Sequence, residues 1–506
     1  MRTLIALGTL GEISCLIYLF VAPQLAVTPP ALGRLLWPAA WLQTATLPAQ
    51  TFLWLSAVWF AVFVASLGVI ARCPRDARTG RIVTGFALLQ AATLFLTPAQ
   101  LSTDVYFYAM AGRKQVVYHQ DAYQGSYFTF PDDPLNPFIQ RIDFATIPES
   151  TRDLFEQWGM NYGPLWTLLM RGVALLAGSN ALLDVLAVKL FMLGVLTVTF
   201  LFLEKELRPP EDDSTGPRSG WFALLCFAWN PLVLIEAGAD AHNDALMALL
   251  AVLGFAQARR GRPAACAALL ALSLMTKSPG LFLLGGYITW LWFHDRPSCP
   301  RAVLAALATS AFFLLFFPLS AITHPLALAN RVASDIYLNS LHSVLLASMV
   351  AALQPLWQGD PFDLLMRVKT TYRALATVAW GGAVLLLVRR PTTTLPRLMG
   401  ICGGAMVVMF LFLSAYFWSW YLILPLACLV HDRHDRLLPA TLAMSFTTLY
   451  LHYLEWRGIQ SMSDTRVWLT LMYAAPLVLL GLAAASAAGS RQVVPADAAG
   501  PPPPPR

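Results

Sequence analysis

The sequence predicts an all-α protein, a polytopic bundle of about 12 to 14 transmembrane helices. Hydrophobic residues make up 57% of the 506-residue chain and charged residues only 12%, whereas a soluble domain carries about 25% charged residues. The charges also fall in clusters, and these separate apolar runs of the length that crosses a bilayer, about 20 residues. The two observations together exclude a soluble enzyme with a single membrane anchor.

The basic clusters set the predicted orientation of the helices. Because Lys and Arg are enriched in cytoplasmic loops, we expect every basic cluster to lie inside and the chain to cross an even number of times between neighbouring clusters. The net charge of +6 is explained in this way and requires no nucleic-acid partner. The clusters are residues 72–81, 204–218, 259–262, 294–301, 389–397, 431–436 and the tail from Arg491.

The apolar runs between these clusters are the predicted crossings. Residues 1–488 are interpreted as one integral membrane domain, and residues 489–506 as a Pro-rich, disordered cytoplasmic tail. The first run is interpreted as a retained helix rather than a cleaved signal peptide, because of its length and because it contains Glu12. The predicted crossings are 3–22, 51–71, 82–99, 183–203, 220–236, 243–258, 302–320, 372–388, 398–415, 418–430, 437–453 and 467–485, with 264–293 as a hairpin.

Residues 82–203 contain three apolar runs, one more than an even number of crossings allows. The middle run, 164–178, is short and has Arg171 in its centre, where a charge deep in the bilayer is costly. We therefore predict that 164–178 is an interfacial helix on the outer surface and that 100–163 is a large outer loop. The short apolar piece 343–353 is predicted to lie on the outer face as well.

The run 264–293 lies between two basic clusters and must turn back on itself. Residues 276–280, TKSPG, supply the break, because Pro279 cannot continue a helix and Gly280 tolerates unusual backbone angles. Each arm is then too short to cross without strain. Such broken helices are tolerated where they line a cavity inside a membrane protein.

On this topology, the unusual polar and aromatic residues converge on the outer side. Each also has an ordinary structural role open to it. Asp104 or Asn243 could cap a helix, Lys277 could extend to the interface, and the aromatic turn 416–421 could belong to an interfacial belt. Their convergence on one face favours a functional site. The candidate residues are Asp104, Arg113, Tyr162, Trp166, Lys189, Glu236, His242, Asn243, Asp244, Lys277, Trp418, Trp420 and Tyr421.

These residue types suit the transfer of a sugar from a lipid phosphate. A carboxylate such as Asp104 can accept a proton from an acceptor hydroxyl. Cations such as Lys277 or Arg113 can bind a phosphate leaving group. Aromatic rings such as Trp418 and Trp420 can stack on a sugar or flank a lipid tail. A metal site at Glu236, His242 and Asp244 is the alternative, although no spacing among these residues is diagnostic of one.

The same stretches resemble a known family. They are STDVYFYAMAGR (102–113), NYGPLW (161–166), WNPLVLIEAGADAHNDALM (229–247), LMTKSPGL (274–281) and WSWYLILPL (418–426). In this order, they resemble the GT-C class of polytopic glycosyltransferases, and among them the polyprenol-phosphate-mannose-dependent α-mannosyltransferases of bacterial envelope glycan synthesis.

The resemblance implies an inverting transfer at the outer face of a bacterial inner or plasma membrane, where the active site faces the periplasm or the cell exterior. It implies that Asp104 is the general base and that Lys277 lies near the donor phosphate. The partners would be a polyprenyl-phosphate sugar, a glycan or glycolipid acceptor and membrane lipid. It implies that neither a metal nor another cofactor is needed.

Two other classes of function compete with sugar transfer. A transporter or flippase would concentrate ionisable residues at the middle of the membrane and show internal repeats, whereas the deep candidates here are Glu12 and Lys189. A glycan ligase with a lipid-diphosphate donor would favour more outer arginines than this chain has. The sequence leaves the sugar, the acceptor, the linkage and any protein partner open.

Overall fold

The computed structural model describes residues 1–25, 49–99, 101–123, 130–136, 162–209, 220–315, 341–414, 417–432, 436–456, 473–479 and 481. Over these residues it is helical and contains no strand. The predicted tail 489–506, most of the predicted crossing 467–485 and much of the predicted loop 100–163 lie outside the described residues.

Apart from 3₁₀ turns and the short stretch 473–479, the described residues form seventeen helices of four or more residues, numbered here in chain order. They are α1 (Arg2–Leu25), α2 (Ala49–Ile70), α3 (Ala77–Phe95), α4 (Asp104–Val116), α5 (Pro164–Ala177), α6 (Ala181–Glu206), α7 (Gly220–Ala228), α8 (Pro231–Ala239), α9 (Asp244–Arg259), α10 (Pro263–Thr276), α11 (Gly280–His294), α12 (Cys299–Leu315), α13 (Leu341–Leu353), α14 (Pro361–Val388), α15 (Leu395–Phe412), α16 (Ile423–Leu429) and α17 (Leu438–Trp456).

Six of the described helices are long and apolar enough to cross a membrane. The prediction of an all-α, multi-pass membrane protein is therefore confirmed. The pair α7 and α8 adds one more candidate, bent by 44° at the break between the two helices. The six spans are Arg2–Ala22, Thr51–Ile70, Ala181–Glu206, Arg296–Leu315, Asp363–Val388 and Leu395–Phe412.

Several predicted crossings have a different form in the structure. Residues 418–430 are not one spanning helix, because a 3₁₀ turn (Ser419–Leu422) precedes the short α16. Residues 243–258 form α9, which has only 16 residues. The helix predicted over 372–388 already begins at Pro361. Hydropathy counts apolar runs, and it cannot distinguish a full crossing from a short helix that is buried among other helices.

The predicted outer loop 100–163 contains a helix that the sequence analysis did not predict. Asp104 is the first residue of α4, a 13-residue helix with low mean hydropathy. Its buried residues are largely small or aromatic, and apart from Asp104 in the first turn its charged residues fall in the last turn. A short amphipathic helix between two long apolar runs is easily taken for a loop when the search is for spans.

Helix α5 runs alongside α4 in the same direction. The side chain of Tyr162, just before α5, contacts Asp104 at the start of α4, and the carbonyl of Ser179, just after α5, accepts a hydrogen bond from Arg113 in the last turn of α4. Midway, a Cβ on Gly112 would lie 2.4 Å from the Met170 carbonyl oxygen, so glycine permits the close approach. Whether α5 lies in the membrane interface stays a prediction.

The predicted hairpin at 264–293 is present as α10 and α11, which meet at residues 277–279. Lys277 has an extended backbone conformation there. A Cβ on Gly280 would lie 2.3 Å from the backbone nitrogen of Leu274, so the tight reversal needs a residue without a side chain. The break places Lys277 at one end of the bundle.

The charged residues gather at two opposite ends of the bundle. At one end, Glu206 pairs with Arg259 and Arg260, and Arg397 pairs with Asp432. The long α6 leads from there to the other end, which holds Asp104 and Lys277. We call this second end the site end.

Candidate active site

Asp104 is held at the site end by hydrogen bonds to one of its two carboxylate oxygens. The hydroxyls of Tyr108 and Tyr162 donate to Oδ2 at 3.1 and 2.6 Å. Nδ1 of His242 lies 3.4 Å from the same oxygen. Tyr108 is one helical turn further along α4, so it reaches the carboxylate from the same helix face. The two hydroxyl donors and the ion-pair contact with His242 fix the orientation of the carboxylate.

The second oxygen of Asp104, Oδ1, is available to a substrate. In the part of the chain that the structure describes, no side chain or backbone N–H donates a hydrogen bond to it. The Asp104 side chain is 19% exposed, which is unusual in a site whose other members are nearly all buried. The carboxylate also does not cap α4, because Thr103 is the N-cap residue and no backbone N–H donates to Asp104. A group placed in this way can accept a proton.

His242 lies between two carboxylates. Its Nε2 is 3.3 Å from Oε2 of Glu236, and its Nδ1 faces Asp104. Glu236 is fully buried and its other oxygen accepts a hydrogen bond from the Ser419 hydroxyl. The π-helical turn that ends α8 places Glu236 beneath His242, whose backbone N–H donates to the Glu236 carbonyl at 2.9 Å. The three side chains form a buried row, Glu236–His242–Asp104.

The row is charged at neutral pH. Burial lowers the pKa of His242, but its contacts with Asp104 and Glu236 outweigh burial and raise that pKa to about 9. Burial raises the pKa of Asp104, but His242, the Tyr162 hydroxyl and the charge of Lys277 outweigh it and lower that pKa to about 2. We therefore describe Asp104 as a carboxylate and His242 as an imidazolium.

Aromatic rings cover the imidazolium. The His242 ring stacks on Trp420 with 3.9 Å between ring centroids and an interplanar angle of 15°. Trp418 stacks on the other side of Trp420 at 5.2 Å and 2°. A cation on the face of an indole is favourable, because the ring presents its negative face to it. The aromatic turn after α15 is thus part of the site: of the predicted residues, Trp420 lies against His242, and Trp418 lies against Trp420.

Lys277 forms a second charged group beside Asp104. Its Nζ lies 2.8 Å from Oδ2 of Asp244 and also lies over the rings of Tyr421 and Tyr162, at 4.8 and 5.5 Å from their centroids. The Lys277 side chain is 12% exposed. It is therefore held by the protein on several sides and does not extend freely towards solvent. Asp244 can share the Lys277 ammonium with a bound anion or release the ammonium to that anion.

The segments that carry these residues are tied together by backbone contacts. The backbone N–H of Gly163 donates to the Thr276 carbonyl at 2.9 Å. A Cβ at Gly163 would lie 2.1 Å from the Met275 carbonyl oxygen, so only glycine allows this approach without a shift. The contact fixes Tyr162 next to Lys277. Tyr162 is the second residue of the NYGPLW motif.

Lys189 lies beneath the site and does not face it. Its buried ammonium donates to the carbonyls of Thr97 and Ala239, the latter at 2.7 Å. Thr97 leads into α4 and Ala239 ends α8, so one side chain joins the two segments that carry Asp104 and His242. Asp240 accepts from the Leu101 backbone N–H and supports the same junction. The geometry favours a positioning role for Lys189 over the predicted substrate contact.

Arg113 is engaged by protein carboxylates. Its guanidinium contacts Asp133 at 2.9 Å and Asp184 at 2.8 Å, and both carboxylates are buried. The Tyr118 hydroxyl also donates to Asp133, at 2.7 Å. The group joins α4, the segment 130–136 and the start of α6. It lies at the opposite end of α4 from Asp104, so the geometry favours an anchoring role over the predicted phosphate contact.

Two other predicted residues lie within the site region without touching Asp104. Trp166 is fully buried and packs edge-on against Tyr108, with 4.9 Å between centroids, so it supports that tyrosine from behind. Asn243 is buried at the N-cap of α9, but its side chain makes no capping hydrogen bond. The capping role considered for Asn243 is therefore wrong, and both its amide atoms are left without a hydrogen-bond partner.

The sequence did not predict two members of the site, Tyr108 and Ser419. Tyr108 could have been found, because it follows Asp104 by one helical turn. Ser419 lies within the aromatic turn, but its contact with Glu236 joins distant parts of the chain. Among the described residues, no group of three or more His, Cys, Asp or Glu side chains could hold a metal ion.

The chain is similar to known mannosyltransferases. The model of a family described as "Alpha-(1->6)-mannopyranosyltransferase, N-terminal domain" matches residues 5–294. A curated relative, Alpha-(1->6)-mannopyranosyltransferase A of Mycobacterium tuberculosis, is 30% identical over 158 residues, which cover 31% of this chain and 29% of the relative. The matched part thus spans less than a third of that relative. No solved structure matches the chain.

Proposed function

This chain belongs to the alpha-(1->6)-mannopyranosyltransferase family, and from that premise we propose that it transfers mannose from a polyprenyl-phosphate donor to a hydroxyl of a glycan or glycolipid acceptor. The observation that supports this most is the state of Asp104, a carboxylate fixed through Oδ2 with Oδ1 left open. Such a group is suited to remove a proton from an acceptor hydroxyl.

In the proposed reaction, Asp104 is the general base. The O–H bond of the acceptor breaks as its proton moves to Oδ1, and the acceptor oxygen forms a bond to the anomeric carbon of the donor. The bond from that carbon to the phosphate oxygen breaks, and both of its electrons leave with polyprenyl phosphate. The attack comes from the face opposite the phosphate, so the configuration at the anomeric carbon inverts.

We propose that the proton transfers late in this reaction, and the low pKa of Asp104 supports this order. A carboxylate with a pKa of about 2 is a weak base towards a neutral hydroxyl. The acceptor hydroxyl becomes far more acidic once its oxygen has begun to bond to the anomeric carbon. Because its pKa is low, Asp104 is ionised at every physiological pH. It can therefore accept the proton as soon as the acceptor hydroxyl has become acidic.

Lys277 is proposed to bind the donor phosphate. Its charge, like that of His242, acts on the Asp104 carboxyl. Since Asp244 holds Lys277 at 2.8 Å before any ligand is present, the phosphate must share the ammonium with Asp244. The rings of Tyr162 and Tyr421 exclude water from the contact. We propose that Trp418 and Trp420 bind the sugar or the lipid on the other side.

His242 and Glu236 are proposed to position Asp104. They are buried, and Asp104 lies between them and solvent. The imidazolium keeps the carboxylate ionised, while Glu236 and Trp420 hold the imidazolium in place. Asn243, with its unpartnered amide atoms beside Asp244, is proposed to bind a hydroxyl of the sugar. We place the active site at the outer face of the bacterial inner or plasma membrane, where a lipid-borne donor and a water-borne acceptor can meet.

The purified full-length chain with synthetic donors tests this proposal. An α-linked product requires a β-linked donor if the reaction inverts. We expect an α-mannosyl product from β-linked polyprenyl-phosphate mannose and a mannoside acceptor, and no product from the α-linked donor or from mannose 1-phosphate. NMR of the product gives the configuration at its anomeric carbon and the linkage position. Transfer from the α-linked donor alone would rule out inversion, and no transfer from either lipid donor would reject the proposed activity.

A further inference from the structure

A group of basic side chains lies at the site end of the bundle, away from the residues discussed above. Lys369 and Arg373 are one turn apart on α14 and so share a helix face. His342, from α13, packs against the ring of Tyr372 with 5.1 Å between centroids. Nδ1 of His342 and the Tyr372 hydroxyl both contact the carbonyl of Phe412, at 3.1 and 2.8 Å. Phe412 ends α15, so the group lies where the chain turns towards the aromatic residues of the active site.

These basic groups are turned into the protein. His342 is 1% exposed and Lys369 is 6% exposed. Nε of Arg373 and Nε2 of His342 are buried and have no hydrogen-bond partner among the residues that the structure describes. Over the residues that the structure describes, no carboxylate forms an ion pair with Arg373. Burial lowers the pKa of His342, and the positive charges of Arg373 and Lys369 lower it further.

An ordinary explanation would be that Lys and Arg extend from the helix to the membrane interface. Arg367, on the same helix, has this extended arrangement. It is exposed, and its guanidinium lies 5.6 Å from the ring centroid of Trp357. Arg373 and Lys369 instead lie close enough to His342 for their charges to lower its pKa, and Nε of Arg373 is buried. A guanidinium nitrogen that is buried without a hydrogen-bond partner among the described residues is costly unless an anion supplies one.

We propose that His342, Lys369 and Arg373 form a binding site for a phosphate group carried on a lipid. A guanidinium matches the geometry of a phosphate, and a basic pocket between transmembrane helices can bind a lipid head group. The group lies level with Phe412, the last residue of the candidate span Leu395–Phe412. This is the level at which a lipid phosphate is found.

The site is next to the proposed donor site and distinct from it. Phe410 and Phe412 lie on the last turn of α15, and the Phe410 ring contacts Tyr421 at 5.1 Å between centroids. Tyr421 lies over Lys277. The phosphate could belong to polyprenyl phosphate or to a membrane phospholipid. The first source rests on the proposed function, whereas the second does not.

Native mass spectrometry of the full-length chain can separate these cases. We would use Lys277→Met protein, so that binding at the proposed donor site does not contribute, and compare farnesyl phosphate, short-chain phosphatidylglycerol and neutral farnesol. We expect at least one of the two phosphates to bind and farnesol not to. Arg373→Met should weaken phosphate binding by about ten- to a hundredfold, the usual effect of removing a charge-assisted hydrogen bond. Arg367→Met is the matched control and should bind like the parent.

The identity of the ligand follows from which phosphate binds. Arg373-dependent binding of farnesyl phosphate alone assigns the site to polyprenyl phosphate, and equivalent binding of phosphatidylglycerol assigns it to a phospholipid head group. Equal binding by the Arg373→Met and parent proteins would overturn the proposal, as would equal binding of farnesol. Without ligand, Arg373→Met should melt at the same temperature or higher, because a partly buried guanidinium that has no ion pair among the described residues is removed. A lower melting temperature would show that Arg373 has a structural role, and Lys369→Gln would then replace it in the binding assay.

Discussion

At the scale of single residues, the two oxygens of Asp104 have different environments. Oδ2 accepts hydrogen bonds from Tyr108 and Tyr162 and contacts His242. Among the described residues, no group donates a hydrogen bond to Oδ1. This division explains how one carboxylate can be both rigid and available. The sequence predicted Asp104 from its motif and from its position after an apolar run. It could not predict the two oxygens' different partners, since Tyr162 and His242 come from distant parts of the chain.

Arg113 shows the limit of reasoning from residue type. As a sequence feature, an arginine near Asp104 suggested a phosphate ligand. In the structure its guanidinium is occupied by Asp133 and Asp184, and the latter is distant in sequence. Pairings of this kind have no local pattern, so a motif identifies the residue but not its partner.

The charge of His242 gives a prediction about pH. In the wild-type chain, turnover should fall as pH rises through about 9, where His242 loses its proton. In His242→Gln, this alkaline limb should be absent. The acid limb should move upward from about 2 towards the usual carboxyl range, because Asp104 has lost its cationic neighbour. The measurement is kcat/KM against pH with saturating acceptor, and the exposed His119→Gln is the control. An unchanged profile in His242→Gln would contradict the charged row.

The same shifts predict how stability depends on pH. The pKa of His242 is raised, so its contribution is complete below about 6.5 and is lost as pH rises through about 9. The pKa of Asp104 is lowered, so its contribution is complete above about 3.8 and is lost as pH falls towards 2. The melting temperature of the wild type should therefore decline between pH 6.5 and 9. That decline should be smaller in His242→Gln.

At the scale of helices, the site depends on contacts between segments that the hydropathy pattern treats separately. The break at 277–279 was predicted from Pro279 and Gly280, and the structure has it at that place. Helix α4 was not predicted, because a search for apolar runs passes over a short helix with few apolar residues. The π-turn that ends α8 was also not predicted, since no sequence signal distinguishes it from an ordinary helix end.

Gly163 tests the contact between two of these segments. Its Cβ would lie 2.1 Å from the Met275 carbonyl oxygen, so Gly163→Ala must push α5 away from the end of α10. Tyr162 and Lys277 would separate, and turnover should fall by at least tenfold in a protein that still folds. Gly172→Ala, within α5, is the matched control. Its added Cβ meets nothing within 4 Å, and alanine should stabilise that helix by about 1 kcal/mol. Similar turnover in the two variants would show that the Gly163 contact does not position the site.

At the scale of the whole molecule, both halves of the chain build the site. The family match ends at residue 294, yet Trp420 stacks on His242 and Ser419 donates to Glu236. The aromatic turn reaches these residues because α15 and α16 pack among the N-terminal helices. The alternation of basic clusters predicted that the aromatic turn and the His242 segment lie on the same side of the membrane. No sequence pattern predicted which aromatic ring stacks on which side chain.

The orientation of the two ends can be tested by labelling in intact cells. The predicted topology puts the site end outside, because the basic clusters lie at the opposite end. An impermeant thiol reagent should label Asp132→Cys, an exposed position near Arg113, and should not label Arg301→Cys, an exposed position at the other end. The native cysteines are buried except Cys73, which is partly exposed, so the unmodified chain gives the background. Labelling of Arg301→Cys alone would reverse the proposed orientation.

The central claim is that Asp104 is the base, and turnover of Asp104→Asn measures it most directly. Asparagine keeps an oxygen for the two tyrosines, and His242 keeps Glu236 as its counter-ion, so the variant should fold and melt close to the wild type. Without a basic oxygen, turnover in the mannose-transfer assay should fall by roughly a hundred- to ten-thousandfold. Asp132→Asn, which also removes an exposed carboxylate near the site end, should be unaffected. Ordinary turnover in a folded Asp104→Asn protein would contradict the account, and Glu236 and Asp244 would then be the carboxylates to test.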